Sequence, residues 1–124
     1  MQKLIFITAS VLGALSVMIG AFGAHALRET LQVTGRTETF ETAVKYQFYH
    51  TLALLFIGLL MYRIESRLLE YAAYSLIAGI LIFSGSLYIL SLTGVTKWGA
   101  VTPIGGLFFI IGWILLLVAV AKMP

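Results

Sequence analysis

Cysteine and aspartate are both missing from the 124 residues, and charge of either sign is scarce. Without cysteine there are no disulfides and no thiolate metal sites, and without aspartate the usual carboxylate dyads are lost as well. Charged residues make up only 10% of the chain, against about 25% in an ordinary soluble domain. Hydrophobic residues make up 60%, with a mean hydropathy of +1.02. A chain so short of polar surface is excluded as a soluble enzyme core, a disordered tail or a nucleic-acid module. The net charge of +3 does not reverse this, because the eight Lys and Arg residues are scattered and form no basic stripe.

What is present is a set of long uncharged runs. A helix rises about 1.5 Å per residue, so the ~30 Å hydrocarbon layer of a bilayer needs about 20 apolar residues. Leu4 to Ala24, Tyr46 to Tyr62, Tyr71 to Thr96 and Trp98 to Ala121 lack Lys, Arg, Asp and Glu, except that Lys97 divides the last two. None shows the two-residue alternation of barrel strands, and lipid leaves only helices or closed barrels. The fold class is therefore all-α: a single transmembrane domain over residues 1–124, an integral membrane four-helix bundle with spans of about 4–27, 43–62, 69–92 and 98–121. An amphipathic extension precedes helix 2, with Thr37 as its cap and Glu38 and Glu41 near the positive end of the helix.

Lys3, the first apolar run and the small residues around Ala24 imitate a secretory signal. Its 21-residue core exceeds the 7 to 15 typical of signals, so retention as a span is the expectation. An even number of spans puts both ends and the turn Arg63 to Glu70 on one side, called side A. The segments around Arg28 to Lys45 and Thr93 to Lys97 lie on side B. Lys and Arg divide equally between the sides, so the positive-inside count does not fix the orientation. Thr102 and Pro103 either start the fourth helix, as cap and first residue, or kink a helix begun at Trp98.

Helices in lipid associate through close contact at small residues. Ala9, Gly13, Ser16, Gly20 and Gly23 are spaced 4, 3, 4, 3 along helix 1, the seam of a left-handed pair. Gly79 and Gly85 are expected to pack on helix 3. The uncharged polar residues gather toward side B: His25 at the end of helix 1, Tyr46, Gln47 and His50 opening helix 2, Ser84 and Tyr88 in the last half of helix 3, and Thr102 opening helix 4. Ionisable groups inside a membrane are functional candidates by default. Against that stands a structural reading in which His50 hydrogen-bonds Tyr88, Ser84 or a backbone carbonyl and holds helices together. Two histidines with no cysteine or aspartate beside them fall short of a closed zinc site, so no metal is expected. No Gly-x-Ser-x-Gly or His-Glu-x-x-His pattern occurs.

Gly20-Ala21-Phe22-Gly23-Ala24-His25, Tyr46-Gln47-Phe48-Tyr49-His50, Phe83-Ser84-Gly85-Ser86-Leu87-Tyr88 and Thr102-Pro103-Ile104-Gly105-Gly106 with Gly112-Trp113 together resemble a family of small bacterial inner-membrane proteins of unknown function, which has a eukaryotic small transmembrane relative. The resemblance covers essentially the whole chain. It implies a four-span protein of the bacterial plasma (inner) membrane, with no established activity and no catalytic residue to carry over.

The expectation is a non-enzymatic protein without a cofactor. Its side-B polar cluster would bind a small polar molecule, a lipid headgroup or a partner protein. Membrane lipids are the expected partners, with a homo-oligomer or another membrane protein as further partners and no nucleic acid. The alternative is a small oligomeric transporter or proton-conducting channel, which requires a polar path continuing into side A. A b-type haem held by the two histidines is a third reading, and an intramembrane hydrolase is the weakest.

Overall fold

The computed structural model describes Met1 to Pro124. Every regular element is helical: α1 (Gln2–Ala24), α2 (Arg28–Thr34), α3 (Thr37–Leu60), α4 (Arg67–Gly79), α5 (Gly85–Thr93) and α6 (Thr102–Ala121). A π-helical turn, Ile80–Ser84, joins α4 to α5, and a 3-10 turn, Thr96–Ala100, leads into α6. Four helical stretches are long and apolar enough to cross a membrane: Gln2–Ala24, Thr37–Leu60, Arg67–Thr93 and Thr96–Ala121.

Local chemistry sets most of the boundaries. The Ser66 hydroxyl accepts the Leu68 N–H at 3.2 Å and caps α4. Gly35 and Gly94 take left-handed backbone with φ of 68° and 73°, which closes α2 and α5 without the penalty a side chain would bring. Two details depart from the sequence expectation. Thr37 is the first helical residue and not a cap, since Arg36 occupies the cap position and no side chain bonds there. Neither option for Thr102 and Pro103 holds as stated: a 3-10 turn over Thr96–Ala100 precedes α6, Val101 takes the cap position without a side-chain bond, Thr102 is the first helical residue, and Pro103 sits in the first turn where its missing N–H costs nothing. Span 1 also stops at Ala24, short of residue 27, because the N–H groups of His25 and Leu27 both turn back to the Phe22 carbonyl.

The α1–α3 and α4–α6 pairs have the most extensive contacts, and α3 joins the pairs through α5 and the π turn. The main apolar core comprises Ile5, Ala9, Ala53, Leu54, Ile57, Leu69, Ala72, Ala73, Leu76, Ile80, Phe109 and Ala119. It fills the middle and side-A half of the bundle. A smaller cluster of Ala43, Leu87 and Leu90 lies toward side B, where polar contacts take over.

The small-residue seam of α1 faces α3. A Cβ on Gly13 would stand 3.6 Å from Thr51, one on Gly20 would stand 3.4 Å from Val44, and one on Gly23 would enter the Phe40 ring. Ser16 is buried in the same seam and donates to the Leu12 carbonyl at 2.8 Å. Gly79 sits against Phe109. Gly85 does not take the packing role expected of it: a Cβ there would meet nothing within 4 Å. The π turn has shifted the helix surface, so Phe83, two residues earlier, meets α6, where its backbone abuts Gly105. This shift follows from the wider turn and leaves no trace in the spacing of small residues.

Candidate functional site

Gln47 is the hub of the side-B interior. It is buried on the inner face of α3; its Nε2 donates to the Leu12 carbonyl of α1 at 3.0 Å, and its Oε1 accepts the Tyr88 hydroxyl of α5 at 2.5 Å. One side chain thereby ties three helices. One turn earlier, the buried Ser84 hydroxyl donates to the Ala43 carbonyl at 2.7 Å. One turn later, Thr51 donates to the Gln47 carbonyl at 2.6 Å. Ser86 and Thr102 meet at 2.6 Å and join α5 to α6.

His50 lies beside this hub in an aromatic stack. Its Nδ1 is 2.7 Å from the Tyr46 carbonyl, and its Nε2 is 3.0 Å from Trp113 Nε1. A carbonyl can only accept and an indole N–H can only donate, so the proton sits on Nδ1 and Nε2 is bare. The imidazole lies on Phe109 with centroids 3.7 Å apart and planes 11° from parallel. Tyr46 stacks on Phe83 at 4.7 Å.

Of the seven expected site residues, Gln47 and Tyr88 bond each other, and Ser84 bonds the Ala43 carbonyl one turn before Gln47. Tyr46 and His50 belong to the adjoining aromatic stack, and Thr102 closes the end through Ser86. His25 stands apart: it is exposed in the turn after α1. With His50 engaged at both nitrogens and His25 outside the cluster, the two imidazoles do not frame a shared ligand. No group of three or more metal-ligating side chains is present. Every buried side-chain nitrogen or oxygen has a hydrogen-bond partner, so the cluster is closed on itself.

Open space lies at the rim of the same half. A cavity of about 340 Å³ is lined on α1 by Gly20, Gly23 and Ala24, on α2 by Arg28 and Leu31, and on α3 by Thr37, Phe40, Glu41, Val44 and Lys45. Neither Arg28 nor Lys45 is among the seven site residues expected from the sequence, where Arg28 counts as a loop charge and Lys45 as an interfacial cation four residues after Glu41. Their convergence depends on α2, which turns the chain back after α1 and packs against α3 and α5. Leu31 is buried to anchor that short helix, and the Thr34 hydroxyl donates to the Ser91 carbonyl at 2.8 Å. Trp113 was likewise not a candidate, because its partner lies 63 residues away on another helix.

Residues 19–106 match the family model described as Protein of unknown function (DUF423). The chain belongs to this family. It is 47% identical over 116 residues to the UPF0382 membrane protein SAB0533 of Staphylococcus aureus (strain bovine RF122 / ET3-1), covering 90% of this chain and 93% of the other. Over 124 residues it is 38% identical to the UPF0382 inner membrane protein YgdD of Escherichia coli (strain K12), covering 98% and 92%. No solved structure gives a significant match. This DUF423 protein is a multi-pass protein of the bacterial inner membrane, in a family whose description carries no catalytic activity.

Proposed function

We propose that this protein is a non-enzymatic binding protein of the inner membrane that holds an anionic group in the rim cavity of its polar half. The observation that carries the reading is the convergence of Arg28 and Lys45 on that cavity, against a wall of α1 residues with little or no side chain. Glu41 offsets one of the two cations. The start of α3 at Thr37 adds partial positive charge. The opposing negative end of α1 is blunted, since the Phe22 carbonyl already accepts two backbone N–H groups.

The side-B polar cluster is the frame of this site. Gln47, Ser84, Tyr88 and Thr102 fix α1, α3, α5 and α6 relative to one another, and that fixes the walls that carry the cations. The continuous apolar core in the side-A half favours binding over conduction, because a transporter needs polar groups along the whole path.

Native mass spectrometry of the protein released from its own membrane tests the proposal. The expected result is a retained phosphate-bearing molecule that is lost when Arg28→Gln and Lys45→Gln are combined. Equal retention by the double variant would overturn it.

A further inference from the structure

The rim cavity does not end at its cations. A second hollow of about 230 Å³, lined by Ser16, Val17, Val44, Lys45, Phe48 and Tyr49, shares Val44 and Lys45 with it. Together they form one groove along the outer α1–α3 seam. On α3 it runs from Thr37 to Tyr49, roughly 18 Å at the rise of a helix, with the stretch from Val44 to Tyr49 inside the second span.

The two ends of this groove differ in chemistry. The upper part carries Arg28, Lys45 and Glu41. In the lower part the Ser16 hydroxyl is turned inward to the Leu12 carbonyl, leaving an apolar wall with Val17 and Phe48 exposed on its edges. Lys45 sits where the two parts meet, so its methylene stem can follow the apolar wall while its ammonium reaches the headgroup zone. A soluble anion would use only the upper part.

Resting on the binding reading above, we infer that the occupant is an anionic glycerophospholipid. Its phosphate lies between Arg28 and Lys45, and one acyl chain is laid along Val17, Val44 and Phe48. The groove beside Trp113 and the one beside Tyr88 and Leu92 are lined entirely by hydrophobic residues. They offer a chain nothing by which to select a headgroup, whereas the α1–α3 groove matches both parts of one lipid.

The test is native mass spectrometry of the full chain in detergent with phosphatidylglycerol, with phosphatidylcholine, or with phosphatidylglycerol plus excess sn-glycerol 3-phosphate. A membrane-proximal cation contributes about 1 kcal/mol toward an anionic headgroup, so the net single positive charge of the lining predicts a preference of about fivefold for phosphatidylglycerol over phosphatidylcholine. Arg28→Gln with Lys45→Gln removes that preference. Val17→Trp, at an exposed position that leaves the bundle intact, lowers phosphatidylglycerol retention severalfold, and glycerol phosphate does not displace the lipid. If glycerol phosphate displaces it fully and Val17→Trp has no effect, the chain groove is wrong while the anion site stands. Equal retention of the two lipids, unaltered by the charge variant, would overturn both. Circular dichroism of each variant separates these results from misfolding.

Discussion

The Tyr88 hydroxyl and Gln47 Oε1 lie 2.5 Å apart inside the bundle, 41 residues from each other in the chain. The contact would serve little purpose alone, but Gln47 uses its other end to hold the Leu12 carbonyl of α1. Between helices in lipid, such bonds contribute about 0.6 kcal/mol on average. Leaving one partner buried and unpaired costs more, about 1 to 3 kcal/mol.

Tyr88→Phe is therefore expected to destabilise the fold by about 1 to 2 kcal/mol, since Gln47 Oε1 is left without its donor. Adding Gln47→Leu to that variant should cost less than Gln47→Leu in the parent, because the two groups share one bond. Equilibrium unfolding in mixed micelles measures both. Strict additivity of the two changes would mean that the pair is not coupled.

Two glycines separate close approach from mere sequence pattern. A Cβ on Gly105 would collide with the backbone of Phe83, so Gly105→Ala should force α6 away from the π turn and destabilise the bundle by about 1 to 3 kcal/mol, as overpacking does. Gly85→Ala meets open space and removes a flexible residue from a helix, giving a neutral to stabilising effect of up to about 1 kcal/mol. Thermal unfolding of the two variants checks the contrast, and the reverse order would contradict the π-turn register.

The partners of His50 assign its tautomer. Nitrogen-15 NMR of labelled protein should show Nδ1 protonated and Nε2 bare, as the Tyr46 carbonyl and the Trp113 N–H require. Trp113→Phe removes the donor to Nε2 and is expected to shift that resonance without displacing the Nδ1 proton. A proton found on Nε2 in the parent protein would break the α3–α6 contact described above.

The spans were legible because lipid imposes a length and forbids charge, and both are properties of the sequence alone. The α1 seam was legible for a similar reason: spacing of 4 and 3 puts small residues on one face, and α3 occupies that face. The seven-residue α2 hides in a polar stretch too short for periodicity, although Gly35 could have marked its end. The π turn at Ile80–Ser84 could not be read, because its surroundings are tertiary: Phe109 against Gly79 and Gly105 against Phe83. Gln47 and Tyr88 were foreseen as polar residues on inward faces. That they bond each other, leaving Arg28 and Lys45 to line the open space, depends on helix register and not on composition.

An anionic group between Arg28 and Lys45 is what the proposed function requires. The most direct measurement is phosphorus-to-nitrogen dipolar recoupling by solid-state NMR in native lipid, with the side-chain nitrogens of Arg28 and Lys45 labelled in one sample and those of Arg63 and Arg67 in another. Strong recoupling in the first sample, exceeding that in the second, is expected. Equal recoupling in both, or none at Arg28 and Lys45, would contradict it.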